Sequence, residues 1–245
     1  MGGSIKIGKP KDGYAKWLAW FHPDVRGEYD SLPRMYEGQT VFILGGGPSL
    51  KETNLKLIKG RPVVGCNDAF RLGSWVDWCV FGDKRWFLWQ RNNGLHTYEE
   101  LAKWENREQV VCCVPQLLDH KASYWPWLKI LRRDEARFGL SVEQDTVCWN
   151  RGTGGTALNV AFLLGASRIV LIGFDMKMVD GKHNWHDLHQ KQERPQIYQS
   201  SMVPFLKPMS DAMKVTGLQI VNATPGSSMS LFPILPLETV LEMGW

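Results

Sequence analysis

The chain has 245 residues, 44% of them hydrophobic and 22% charged, the balance of an ordinary globular protein with room for a large core. No apolar run approaches about 18 residues, and the opening segment MGGSIKIGKPKDGYAKW has no signal-peptide core, so a cytoplasmic protein without a membrane span is expected. Five cysteines, none in CxxC spacing and two of them adjacent at Cys112 and Cys113, argue against a disulfide framework or a zinc knuckle. The net charge of +4 is uneven. Lys6, Lys9, Lys11, Lys16 and Arg26 face only Asp12 and Asp24 within residues 1–26, a net +3. A basic extension over residues 1–35 suits a solvated tail or an arm that touches phosphates. Twelve tryptophans, from Trp17 to Trp245, form no periodic stripe and read as core or groove-lining residues.

In chain order, strands are expected at Thr40–Leu44, Pro62–Cys66, Trp78–Phe81, Gln109–Val114, Arg168–Ile172 and Gln219–Asn222. They are almost continuously apolar, as strands covered on both faces of a parallel sheet are. Helices are expected near 51–59, 97–105, 155–165 and 196–216. The clearest places Leu158, Ala161, Phe162 and Gly165 on one face, with Gly165 as its terminator. Alternation of strands and helices predicts an α/β fold: a Rossmann-like, mostly parallel sheet with helices on both faces. Residues 36–245 read as one such domain, with irregular insertions near 115–150 and 176–200 that could form a lid.

Two glycine-rich turns carry the first chemical signal. Gly45-Gly46-Gly47-Pro48-Ser49 follows the first strand, and Gly152-Thr153-Gly154-Gly155 opens the 155–165 helix. Each offers backbone N–H groups and a helix dipole to an anion, at the strand ends where parallel sheets bind ligands. Neither is a P-loop, and Leu50 stands where a dinucleotide fingerprint needs its third glycine. Together they suggest one phosphorylated ligand held from two sides. Asn67 and Asp68 follow the second strand, Asp83 the third and Asp175 the fifth of these strands. Such side chains read a base or ribose, or else cap helices, and for Asp83 both readings stand. His183, His186 and His189 lie within seven residues, without HExxH spacing or a cysteine partner, so no metal site is expected there. A histidine suits a general base for an acceptor hydroxyl, His186 ahead of His183. There is no DxD triplet. Arg151, Lys182 or Tyr198 would then steady a leaving nucleotide.

In this order, GGGPSL, CND, GTGGTALNVAFLLGASRIVLIGFDM, the histidine segment and VNATPGSSMSLFP resemble a group of bacteriophage and bacterial proteins. That group surrounds the archaeal pterin diphosphokinase-like (MptE-like) family. Over roughly residues 40–240 the layout also resembles the bacterial sialyltransferases of glycosyltransferase family 42. The second resemblance implies a Rossmann-like fold that binds a cytidine monophosphate sugar without metal. It carries a nucleotide contact onto Asn67, a hydroxyl-bearing turn onto Thr153, and a catalytic base onto His186 or His183 after Gly173-Phe174-Asp175. Gly46 stands where that family has a nucleotide-contacting asparagine. The first resemblance implies instead diphosphate transfer from ATP, with magnesium held by Asp83 and Asp175.

The expected activity is therefore a glycosyltransferase using a nucleotide sugar as co-substrate, with His186, His183 and Asp175 as its catalytic candidates. The acceptor hydroxyl would belong to a hydroxymethylated base in phage DNA, a glycan or a small molecule, in a bacterial host's cytoplasm if the chain is phage-encoded. A magnesium-dependent diphosphokinase and a non-catalytic nucleotide-binding protein are the alternatives.

Overall fold

The computed structural model of the protein describes residues 28–188 and 195–245; the basic segment 1–26 and His189 lie outside them. In chain order the strands are β1 (Thr40–Leu44), β2 (Val63–Cys66), β3 (Trp78–Phe81), β4 (Val110–Cys112), β5 (Lys129–Ile130), β6 (Arg132–Asp134), β7 (Thr146–Cys148), β8 (Arg168–Ile172) and β9 (Gln219–Asn222). The α-helices are α1 (Lys84–Leu88), α2 (Thr97–Leu101), α3 (Leu118–Tyr124), α4 (Thr153–Leu163), α5 (Val203–Leu206), α6 (Pro208–Thr216) and α7 (Leu237–Glu242). Seven strands form one parallel sheet in the order β5-β4-β3-β2-β1-β8-β9, and β6 and β7 pair separately, also in parallel. This is the α/β, Rossmann-like arrangement the strand pattern predicts. Among the described residues no helix is long and apolar enough to cross a membrane.

The continuous apolarity of the strands has a direct cause: alternate residues feed two separate cores. Val41, Ile43, Val64, Trp78, Val80, Ile169 and Leu171 enter one, where α4 packs through Ala157, Leu158, Val160 and Ala161. Phe42, Leu44, Val63, Cys79, Phe81, Val170 and Ile172 enter the other, under Trp86, Phe87, Leu101, Trp104, Leu117 and Leu237. Helices thus cover both faces. Much of the tryptophan content belongs to the second core, where Phe70, Phe81 and Phe87 pack against Trp86, Trp104 and Trp125. All five cysteines are buried and free.

Helix α4 is enclosed nearly all round, which is why it lacks a charged face. Its one interior amide, Asn159, is bonded at both ends: Oδ1 accepts from the N–H groups of Ser141 and Cys148 at 2.9 Å each, and Nδ2 donates to Ser141 O at 3.0 Å.

Several elements differ from the sequence expectation. The helix expected at 51–59 is two single 3₁₀ turns, Pro48–Lys51 and Leu55–Ile58, separated where Thr53 Oγ1 bonds back to Ser49 O. The helix expected at 97–105 ends at Leu101. The one expected over 196–216 is broken into a π-helical turn (Tyr198–Met202), α5 and α6, because Pro204 and Pro208 have no N–H to give the ladder. Residues 115–150, expected to be irregular, contribute α3, the edge strand β5 and the β6–β7 pair. β5 is only two residues long and β6 reads RRD, so neither shows an apolar run.

Gly165 does terminate α4, with φ +104°, and a Cβ there would lie 2.8 Å from the Glu37 backbone nitrogen. Gly165→Ala is therefore expected to lower unfolding free energy by about 1–3 kcal/mol. Urea denaturation would show the midpoint falling with an unchanged slope; an unchanged midpoint would contradict this packing.

Candidate functional site

The sheet order reverses direction between β1 and β8, since β2, β3 and β4 lie to one side of β1 and β9 lies beyond β8. The crevice outside the carboxyl ends of strands at such a point is where open α/β sheets hold ligands. Backbone strain collects around it. Asn67 (φ 50°) follows β2, Asn150 (φ 45°) and Arg151 (φ 55°) lead into α4, and Met176 (φ 50°) lies beyond β8. Left-handed backbone at non-glycine residues costs energy and tends to gather at functional sites.

At this edge the segment after β8 presses against the turn after β1. Gly45 N–H donates to Ile172 O and Gly47 N–H to Gly173 O, both at 2.8 Å, so the turn continues the sheet's ladder. A Cβ at Gly45 would lie 2.9 Å from the Phe174 ring, and one at Gly47 would collide with the Asp175 carboxylate. Asp175 is buried, and its Oδ2 accepts from Ser49 Oγ at 2.8 Å at the start of the 3₁₀ turn that Pro48 opens. The place the sequence suggests for a phosphate at this first turn thus holds the chain's own carboxylate. Burial pushes the Asp175 carboxyl above the usual range, against the opposing hydrogen bonds from Ser49. The hydroxyl-rich loop after β9 clasps the same segment: Thr224 Oγ1 accepts from Phe174 N–H at 3.0 Å, and Ser227 Oγ donates to Phe174 O at 2.6 Å.

The second glycine turn meets the other edge of Phe174, whose ring would lie 2.8 Å from a Cβ at Gly154. Gly155 leaves room for Asn150. Gly152, by contrast, has open space where a side chain would stand. Thr153 Oγ1 reaches Asn67 Oδ1 at 3.4 Å, joining the first turn of α4 to the end of β2. The first N–H groups of an α-helix have no acceptor inside it, so α4 offers positive potential beside Asn67.

Asp68, expected to read a nucleoside, is instead heavily paired. Its Oδ1 accepts from Arg71 Nε and Arg91 Nη2 at 3.0 Å each, and its Oδ2 from Trp86 Nε1 at 2.8 Å, with His186 Nε2 at 3.5 Å. Three hydrogen bonds and one longer ion-pair contact thus take up most of its acceptor capacity. Burial alone would raise its pKa, but Arg91, His186, Trp86 and Arg71 together hold it below the usual value. Asp83 takes the capping role: it accepts from Arg85 N–H at 2.7 Å at the start of α1 and from the same residue's guanidinium. Asp83 and Asp175 follow strands three spacings apart, on the order of 14 Å. The two carboxylates are engaged separately, Asp83 by Arg85 and Asp175 by Ser49. Among the described residues no cluster of three or more His, Cys, Asp or Glu is poised to hold a metal.

The histidine segment crosses this edge as a strap. It begins at a tight turn in which Val179 and Lys182 exchange backbone hydrogen bonds around Asp180-Gly181. Trp185 N–H then donates to Gly46 O at 3.0 Å, and Asn184 Oδ1 would lie 3.0 Å from a Cβ at Gly46. His186 Nδ1 accepts from Leu188 N–H at 3.2 Å, which puts the ring proton on Nε2, toward Asp68. Both nitrogens of His186 are thereby committed, and a general base needs a lone pair to offer. His183 meets that requirement: its Nδ1 pairs with Tyr198 OH at 2.9 Å, and its buried Nε2 has no partner among the described residues. Of the two candidates, His183 is the one whose ring keeps an uncommitted nitrogen.

Sequence reading missed Arg91, which is nearly as buried as Asp68, and Lys84, whose half-burial after β3 pushes its amine down to about 8. Neither carries a motif; only the fold brings them to this edge. Comparison with protein-family models and with curated proteins returns no match.

A raised pKa at Asp175 means that the folded state holds a proton more tightly than the unfolded one. Its contribution to stability is present at low pH and is lost as pH rises through the folded value. Asp175→Asn is therefore expected to melt higher than wild type at pH 7.5, with the advantage shrinking as pH falls toward 4. Melting curves across that range would contradict the assignment if the variant lost stability equally at every pH.

Proposed function

We propose that the protein is a nucleotide-sugar-dependent glycosyltransferase whose donor lies at the carboxyl edge of the sheet, with its phosphate at the first turn of α4. The observation that carries this reading is the junction of Thr153 and Asn67. A helix N-terminus that opens beside a polar strand end, at the sheet's switch point, offers an anion site and a nucleoside contact together. The resemblance to family 42 glycosyltransferases, made from the order of motifs, points the same way at these two residues.

In this reading the N–H groups of Thr153, Gly154 and Gly155 hold the donor phosphate, and open space at Gly152 admits it. Asn67 contacts the nucleoside. His183, with its Nδ1 proton donated to Tyr198 OH, takes the proton of the acceptor hydroxyl on Nε2. The acceptor oxygen bonds to the anomeric carbon as the bond from that carbon to the phosphate oxygen breaks. The nucleotide leaves with the electron pair. Asp175 holds the first glycine turn closed through Ser49 rather than touching the donor. A glycan, a small molecule or a hydroxymethylated base in DNA would each supply the hydroxyl; for DNA, the basic segment 1–26 would add phosphate contacts.

Nucleotides and their sugar conjugates should raise the melting temperature, a ligand at a hundredfold excess over its Kd adding about 2.7 kcal/mol. His183→Ala should keep that shift and lose about 10²–10⁴-fold in sugar transfer. A shift seen only with ATP and magnesium would contradict the reading, as would wild-type transfer by His183→Ala.

A further inference from the structure

We infer that Asp68 and Arg91 are positioning residues: they anchor the strap 183–188 through His186 and Leu188, and so fix where His183 presents Nε2. The inference rests on the reading of His183 as the base, but the anchoring can be tested without it.

The strap has three attachments on the side of the sheet's second core. Trp185 N–H is bonded to Gly46 O, the His186 ring stands between Asp68 and Leu188 N–H, and Leu188 O accepts from Arg91 Nη1 at 3.4 Å. Arg91 is a three-way fork. Its side chain is only 3% exposed, and its remaining nitrogens reach Thr97 Oγ1 at 2.8 Å and Asp68 Oδ1 at 3.0 Å. It thereby ties α2, the end of β2 and the strap together. Arg71 closes the group by pairing with both Asp68 and Glu100, whose other oxygen accepts from Asn93. The buried Arg91 and the partly exposed Arg71 are balanced by two carboxylates, so the knot is close to neutral.

Such a knot is a poor way to add stability, because desolvating charges offsets most of their attraction. Its directional bonds are a good way to fix geometry. The His186 tautomer depends on it: Leu188 N–H needs an unprotonated Nδ1, and Asp68 faces the proton on Nε2. Three residues earlier in the chain, His183 is held on its other side by Tyr198, whose turn leads into α5. His183 is therefore held by two anchors, Tyr198 directly at its ring and Asp68–Arg91 through the strap that follows it.

The test compares His186→Phe, which keeps the ring's volume and loses both polar contacts, with His186→Gln, which restores a donor toward Asp68. A third variant, Arg91→Lys, keeps the charge beside Asp68 and loses the fork. Three quantities are read on folded protein: amide exchange of residues 183–188, the rate of diethylpyrocarbonate modification at His183, and the thermal shift with the nucleotide panel. Each lost hydrogen bond should raise strap exchange and His183 modification by up to about tenfold in His186→Phe and Arg91→Lys. His186→Gln should recover part of this, and nucleotide shifts should persist in all three. Wild-type exchange and His183 reactivity in a folded His186→Phe would overturn the inference. If Arg91→Lys folds and also leaves both unchanged, the fork plays no positioning part. Absence of any nucleotide shift in wild-type protein would sink the transferase reading alone, leaving the exchange result to decide the anchoring.

Discussion

The carboxyl edge of the sheet depends on one close approach: Gly173-Phe174-Asp175, leaving β8, lies so near the turn leaving β1 that no side chain fits at Gly45 or Gly47. The Phe174 ring fills the space bounded by Gly45 and Gly154, and the Asp175 carboxylate fills the space above Gly47. Glycines that look like a phosphate cradle in sequence therefore have a packing reason, and the chain's own anion sits at the first turn. What remains open to a ligand is the first turn of α4, beside Asn67. A triple glycine after a strand is ambiguous until one knows what leans on it.

Charge at this edge is arranged by the same logic. Asp68 and Asp175 are both buried acids, yet their environments push them in opposite directions. Two guanidiniums, an indole N–H and an imidazole keep Asp68 ionised, and its partners leave it little capacity for a ligand. Asp175 has mainly the Ser49 hydrogen bonds and is shifted the other way. One acid belongs to an ionic knot that organises the strap, and the other closes a turn. Asp83 is engaged separately: its carboxylate caps α1 and pairs with Arg85.

Much of the fold was legible in the sequence, because strands covered on both faces are written as unbroken apolar runs. β1, β3, β8 and β9 match their expected limits, and β2 loses only Pro62, which cannot donate to a ladder. The helices were less legible. Pro204 and Pro208 break a long amphipathic segment, and α1 is a five-residue turn whose start is visible only through Asp83. β5 and β6 carry no pattern, since an edge strand of two residues needs only its neighbour. At the candidate site, the sequence singled out loops that the fold brings to one edge of the sheet, but not which of their side chains are already paired. That Asn67 meets Thr153 follows from α4 packing over β2. That Asp68 and His186 satisfy each other follows from a strap crossing three strands, and from Arg91, more than ninety residues away from Leu188 in the chain. Such closure is a property of tertiary structure, and residue type alone does not announce it.

The central claim is that the donor phosphate belongs to α4 and not to the first glycine turn. A crystal structure with whichever nucleotide stabilises the protein most would test it directly. The account predicts phosphate oxygens within hydrogen-bond distance of the N–H groups of Thr153, Gly154 and Gly155, with the Asp175–Ser49 bond intact and His183 Nε2 facing the crevice. Phosphate seated at Gly45–Ser49 with Asp175 displaced, or a nucleotide bound away from the carboxyl edge, would contradict it.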